Sequence, residues 1–408
     1  MKSKFLKRAL CTTLACATVA GIGLGMTACA DDDSVHLVIG VQQTTGNNYV
    51  AMCNLLDAWG PELGFTYETV LIGRNAEEAY NTYQNAIVSG ARGIITMVDV
   101  DAPTTRRIIE LCEDNNAYYA GFMTDFASTF ANSDPAQTEN VEYVMNSGAM
   151  LGAVTDGDIV RDGGARGEFL FNEIVETDYR TMTLVRSPIY AYPVAATAID
   201  RFKELAEEYN ETHDDDFTFV TAPGAQTSDS QGALEIGFGD SEVDAEVVQS
   251  WASQGVEAVV AVNSLGNKLL SNVKTYGNGM VIYQIGRDDL ILGDFPDTIK
   301  SLCQTPTETI VYPLVRVLNA INGNSYSDEP TDKMDTLLSG QYVYFTSAED
   351  LEAGDGNSIA FTENYPVSAS IVTVDDIRGL LAGAEGASFA KLSGLIASWD
   401  TDYVLYRR

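Results

Sequence analysis

Residues 85–125 read NAIVSGARGIITMVDVDAPTTRRIIELCEDNNAYYAGFMTD. The run GIITM at 93–97 is short and wholly apolar apart from one Thr, the pattern of a strand buried on both faces. Asp101 and Pro103 then announce a helix start, and Ile108, Ile109 and Cys112 recur at helical spacing over 102–114. Asn115-Asn116 breaks that helix, and YYAGFM at 118–123 is a second apolar run. Strand, helix and strand in 31 residues form one crossover unit of a parallel sheet.

The same alternation extends in both directions. Upstream it predicts strands at 36–41 and 66–72 and helices at 48–59 and 76–89. Downstream it predicts a strand at 141–145 and a helix at 148–160. Strands follow at 182–185, 217–221, 257–262, 280–285 and 299–303, with helices at 191–209, 244–254, 265–276 and 306–321. Ten strands exceed one small sheet, so the expected class is α/β with two doubly wound parallel-sheet lobes. A TIM barrel is the structural rival, but it wants eight even units. Here the spacing is broken at 124–140 and 222–243 by segments rich in Ser, Thr, Asn, Asp and Gly. Beyond 326 the pattern thins. It leaves strands at 342–346 and 370–373, and a last helix from 375–381 extended by small residues to Trp399.

Composition narrows the function. The chain has 408 residues, 24 Lys+Arg, 58 Asp+Glu and 2 His, for a formal charge of −34. That balance opposes nucleic acid, which needs clustered cations. Two histidines exclude a multi-His zinc site and argue against a His-based triad. Neither a nucleophile motif nor a phosphate loop is present, so no enzyme activity and no cofactor is expected. A glycosidase with paired carboxylates is the enzymatic rival. The acids at alternate positions of Asp240–Glu246 lack the Gly of a calcium loop and suit a helix start instead.

The amino terminus has the form of an export signal. Lys2, Lys4, Lys7 and Arg8 precede an apolar stretch that ends in Met26-Thr27-Ala28-Cys29. Small residues before Cys resemble the bacterial lipobox, which implies cleavage before Cys29 and acylation of its thiol. Several acyl chains on one Cys would hold the protein on a membrane stably. Residues 29–34 then form an acidic spacer. Cys53, Cys112 and Cys303 remain in apolar runs, suited to small buried side chains.

Ligands of open α/β sheets bind beyond the carboxyl ends of the strands. Those ends are residues 42–48, 98–101, 124–126, 186–192, 263–264 and 286–289. Four local patterns there carry a resemblance. HLVIGV (36–41) leads into TTGNNYVAM (44–52), and NAIVSGARGIITM (85–97) joins a helix through Gly to a strand. GVEAVVAVNSLG (255–266) ends a strand in Asn, and VIYQIGRDD (281–289) ends one in Gly-x-Asp. CQTPTETIVYPLVRVLNAINGNSY (303–326) completes the series. In this order, residues 35–325 resemble a type I periplasmic binding protein of ABC importers, in the ribose/galactose sugar-binding branch.

The resemblance implies an N-terminal lobe of residues 35–143 with about 305–340 and a C-terminal lobe of about 144–303 with 341–375. Residues 376–408 are left as a helical tail, and hinges are expected near 124–146, 284–288 and 302–306. It implies ligand contacts from Asn48, Tyr49, Asp125, Phe238, Asn263, Asp288 and Gln304. Phe126 stands where the family has Arg after that Asp, Tyr190 and Tyr192 occupy the loop of a second Arg, and Ser264 replaces Asp. More aromatics and fewer cations keep a nucleoside open beside a sugar. The implied protein is a lipid-anchored monomer on the outer face of the cell membrane. It hands a small polar ligand to permease subunits, with a sensory ligand-binding role as the alternative.

Overall fold

The computed structural model describes residues 34–42, 44, 47–73, 75–126, 130, 134–155, 163–186, 193–221, 232–235, 243–262, 267–285, 297–347, 349–350 and 370–406. Its first half alternates as β1 (Val35–Val41), α1 (Asn47–Leu63), β2 (Phe65–Leu71), α2 (Ala76–Val88), β3 (Gly93–Thr96), α3 (Ala102–Asp114), β4 (Tyr118–Phe122), α4 (Thr138–Asn146) and β5 (Met150–Val154). Short polar side chains set the helix starts. Asn75 accepts from the Glu77 N–H at 2.9 Å, and Asp101 from the Thr104 N–H at 2.9 Å. Each satisfies a backbone donor that the first helical turn leaves free.

All strands of this first sheet are parallel, in the order β2-β1-β3-β4-β5, with a sixth strand, Leu337–Leu338, beside β5. Register is exact along β1, from Val35 opposite Phe65 to Val41 opposite Leu71. The buried apolar faces leave it no slack, because a one-residue slip would turn every side chain to the opposite face and undo its packing.

The chain then crosses into a second unit of the same design. It runs through α5 (Gly163–Val175), β6 (Thr181–Arg186), α6 (Pro193–Asn210), β7 (Thr218–Phe219), β8 (Leu234–Glu235), α7 (Ala245–Ser253), β9 (Ala258–Val262), α8 (Asn267–Tyr276), β10 (Val281–Ile285) and β11 (Ile299–Gln304). The order is β7-β6-β9-β10-β11, again parallel, with β8 continuing the pairing on β6 toward its carboxyl end. Asp244 caps α7 through the N–H groups of Glu246 and Val247, the helix-start role expected of that acidic stretch.

After a 3₁₀ turn at Thr307–Ile310, α9 (Val311–Ile321) returns to the first sheet, followed by β12 (Leu337–Leu338). β13 (Val343–Phe345) then joins the second sheet antiparallel to β11, with Val343 opposite Gln304. The tail forms α10 (Val374–Arg378), α11 (Phe389–Ala397) and α12 (Thr401–Tyr406). Two of the links between the sheets are very short. Residues 305–306 lead from the carboxyl end of β11 to the 3₁₀ turn, and residues 339–342 lead from the carboxyl end of β12 to β13. Four residues span at most about 14 Å. The carboxyl edges of the two sheets therefore stand close together at these links.

Helix α9 is buried almost all round. Gly93 explains how close it comes: a Cβ there would run into Val317 of α9 and Leu37 of β1. Arg316, 5% exposed, gives its Nε proton to the Leu151 carbonyl at 3.0 Å and pairs with Glu329. Both contacts tie α9 to the strand and loop beside it.

The sequence expectations needed correction in three places. Residues 141–145 lie in α4, because Val141, Val144 and Met145 recur at helical spacing and Val144 faces the core. Residues 150–154 form β5, and α5 follows where no helix was expected. β5 pairs with β4, so the first sheet continues past residue 146 and the chain crosses only after Val154. Residues 370–373 form no strand, and the tail helix is three separate pieces. Trp59 and Trp251 are buried in the core, and Cys112 is buried while Cys53 is half-buried.

Gly93→Ala should lower the urea midpoint of unfolding, costing about 1–3 kcal/mol of overpacking strain. An unchanged midpoint would mean that α9 does not rest directly on β3.

Candidate functional site at the strand carboxyl ends

The strand orders place each sheet's reversal point between its first and third strands, β1/β3 and β6/β9. Ligand crevices in open α/β sheets form outside the carboxyl ends at that point. The turn after β3 is held from below. The Thr96 hydroxyl accepts from the Tyr83 hydroxyl at 2.8 Å and from the Val98 N–H at 3.0 Å, and reaches the Val98 carbonyl at 3.1 Å. Gly40 of β1 makes this possible, since a Cβ there would occupy the position of the Tyr83 hydroxyl. The buried network fixes the backbone that presents Asp99.

Strand β4 delivers a second carboxylate beside it. Met123 follows the strand with φ +52°, a left-handed conformation that costs a non-glycine residue about 1–2 kcal/mol. The turn folds Thr124 inward over Gly121, which has no side chain to obstruct it. Asp125 follows, and its N–H donates to Asp99 Oδ2 at 3.1 Å. Strain of this kind persists where surrounding structure over-determines it, and it concentrates at ligand sites.

Asp99 is exposed to solvent, yet protein surrounds it closely. Loss of bulk water foremost, with the neighbouring Asp125 adding to it, pushes its carboxyl up to about 7 against the pull of the Asp125 N–H. A carboxyl in this range can donate or accept a hydrogen bond near neutral pH. On the second sheet, Arg186 ends β6 and Glu235 ends β8, paired at 2.9 Å with Arg186 only 3% exposed. The two carboxyl edges thus carry charged and hydrogen-bonding groups. Among the described residues there is no group of three or more metal-binding side chains.

The expected site residues fall into several places. Asp125 lies at the carboxyl edge beside Asp99. Tyr49 shares a hydrogen bond with the Thr69 hydroxyl at 3.0 Å, over strand β2. Phe126 is buried, stacked on Phe130 at 5.5 Å and packed against Tyr119. It therefore anchors the turn behind Asp125 from the core side. Asn48 is in the first turn of α1 and Gln304 at the end of β11. Tyr190, Tyr192, Phe238, Asn263, Asp288 and Cys29 lie outside the described residues. Asp99, Arg186 and Glu235 were not expected. Asp99 and Arg186 do lie in strand-end loops that the alternation pattern marks, at 98–101 and 186–192.

Two surface hollows open away from this edge. One, with Glu113, Tyr143 and Ser147, lies over α3 and α4; the other, with Tyr179, Tyr283 and Lys300, lies beside the start of β6. No described residue lining either comes from the loops at the carboxyl ends of the strands.

No protein-family model matches the chain, and no curated protein matches it. Solved structures do. GanP, a glucose–galactose binding protein from Geobacillus stearothermophilus, is 14% identical with a TM-score of 0.51, covering 77% of this chain and 98% of its own. An ABC transporter solute binding protein from Bacillus halodurans with bound myo-inositol is 12% identical with a TM-score of 0.53, covering 79% and 97%. The periplasmic binding protein of the arabinose ABC transporter from Shewanella sp. ANA-3, bound to L-arabinofuranose, is 10% identical with a TM-score of 0.52, covering 76% and 92%. At such identities the likeness shows the fold. This chain has the two-lobed α/β fold of type I periplasmic binding proteins.

A carboxyl whose folded pKa lies above its unfolded value of about 4 takes up a proton on folding. Asp99 therefore weakens the fold progressively as pH rises from about 4 to about 7, and by a constant amount above that. Asp99→Asn should gain stability relative to the parent between pH 5 and pH 8, read from urea midpoints. An equal difference at both pH values would contradict this account of the site.

Proposed function

We propose that this protein is an extracytoplasmic solute-binding protein that captures a sugar between its two lobes. The observation that carries the reading is the apposed pair of carboxyl edges, with Asp99 and Asp125 on the first. Sugars offer several hydroxyls, each both donor and acceptor, and aspartates at a cleft floor pair with them. The solved neighbours support the same class, since they are named for glucose–galactose, myo-inositol and arabinose.

Each sheet with its helices forms one lobe, and the crossings beside the carboxyl edges are the hinge. The first lobe comprises residues from Val35 to Val154 together with α9 and β12, and the second runs from α5 to β11 with β13. Ligand bound to both edges has more contacts in the closed form, so binding shifts the population toward closure. The closed form then docks on an ABC permease. Cys29, acylated after signal cleavage, holds the protein at the outer face of the membrane. Asn48, Tyr190, Tyr192, Phe238, Asn263, Asp288 and Gln304 complete the cleft in this reading. Binding and release, without turnover, are the whole activity.

A thermal-shift screen of the mature chain against D-galactose, myo-inositol, L-arabinose and nucleosides tests the reading. Ligand at 100 times its Kd stabilises the native state by about 2.7 kcal/mol, enough for a clear rise in Tm. One sugar class should give that rise. Asp125→Ala should weaken binding of the same sugar roughly 10- to 100-fold by titration calorimetry, the cost of lost hydrogen bonds in an enclosed site. A rise with nucleosides alone would replace the sugar, and no rise with any of these ligands would contradict the proposal.

Cys29→Ser should move the protein from the membrane fraction to the soluble fraction of an expressing bacterium. Retention in the membrane fraction would contradict lipid anchoring.

A further inference from the structure

The tail after β13 touches both lobes, and its contacts are specific on each side. In the first lobe, Arg378 at the end of α10 donates to the Glu62 carboxylate at 2.8 Å and to the Glu62 carbonyl at 3.0 Å. The Ala382 N–H donates to Asn319 of α9 at 2.8 Å, and the Tyr326 hydroxyl donates to the Leu380 carbonyl. Asp328 receives the N–H groups of Phe389 and Ala390 at 2.8 and 3.0 Å, fixing the start of α11. Phe389 lies under the buried Arg316 guanidinium and edge-on to Tyr312.

Only residues 398–400 separate α11 from α12, a reach of about 10 Å at full extension. Beyond them the partners change lobe. The Thr401 hydroxyl accepts from the Tyr344 N–H at 3.1 Å and reaches the Tyr342 carbonyl at 3.5 Å. Both tyrosines flank or belong to β13, which is paired to β11 of the second sheet, and both pack on α5 through Phe169 and Arg166. Trp399 sits in the three-residue link and is fully buried, as are Val404 and Leu405 just after it.

We propose that residues 374–406 form a strap that fastens the two lobes beside their crossings and limits how far the cleft opens, with Trp399 as its apolar plug. The inference rests on the hinge-closure reading above and adds a regulator of it. A three-residue link anchored at both ends has no slack. Because it lies close to the crossings, a small slip there corresponds to a large change at the cleft mouth. A strap of this kind keeps the empty protein nearer to the closed form and so raises apparent affinity, because a larger fraction is competent to bind.

The test uses spin labels on the two lobes of the mature chain, at Val88→Cys and Tyr276→Cys, with the native cysteines replaced by alanine. Val88 is 78% exposed and Tyr276 39% exposed, so both accept a label without disturbing packing. Pulsed electron resonance then reads the distance distribution between lobes without ligand. Trp399→Ala should broaden it and shift it by several ångströms. Thr401→Val, which keeps the side-chain shape and loses both hydrogen bonds, should shift it less, in the same direction.

A folded Trp399→Ala protein with the parent distribution would overturn the strap. If Trp399→Ala does not fold, Thr401→Val decides alone by the same criterion. Adding D-galactose, myo-inositol or L-arabinose separates this inference from the functional reading. Strap variants that broaden while no sugar narrows the parent would keep the strap and remove the sugar. A sugar that narrows the parent while the empty variants match it would do the reverse.

Discussion

Two short links, at residues 305–306 and 339–342, constrain everything else in this molecule. Each leaves a strand at its carboxyl end and enters the other half within a few residues. A chain that short cannot go round a sheet. The carboxyl edges must therefore lie together, and the carboxyl ends of the parallel strands in both halves face one region. Repeating the same strand order in both sheets doubles the effect, because each contributes its own reversal point to that region.

The same constraint explains where the structure stores strain and buried polarity. Met123 holds a left-handed turn, and the Tyr83–Thr96 hydroxyl pair is sealed beneath Asp99. Neither strengthens the core by itself. Both fix the backbone that carries two carboxylates, one of them held near neutral pKa by its surroundings. Helix α9 has the complementary task. It rests on Gly93 of β3, buries Arg316 against a strand carbonyl, and gives the tail an attachment through Asn319.

The alternation of apolar runs and helical spacing was legible wherever strands were buried on both faces. β1, β3, β9 and β10 are such strands, and their limits were readable to within a residue or two. The pattern misled at 141–160. A short helix there has few buried residues, and β5 is built from Met, Leu, Gly, Ala and Val, which suit a helix equally in isolation. The pairing of β5 with β4 decides its state, and no local signal encodes that pairing. Site residues were legible by position and less so by identity. Asp125 is named through the family resemblance, which matches it to an Asp at the end of an apolar strand. Asp99 lay in a marked loop but gains its character from distant groups, the Asp125 backbone and the enclosing protein. Phe126 stands where the family has Arg, and only the fold shows that it turns inward onto Phe130. The tail resisted reading because its order comes from contacts more than 50 residues away, such as Ala382 with Asn319.

The central claim is that the apposed carboxyl edges form one cleft that closes on a small ligand. Small-angle X-ray scattering of the mature protein, with and without a saturating sugar that raises its Tm, tests this most directly. The account predicts a smaller radius of gyration with the sugar bound, as hinge closure brings the two lobes together. Tight binding with identical scattering curves would contradict it, and would place the ligand on one lobe alone.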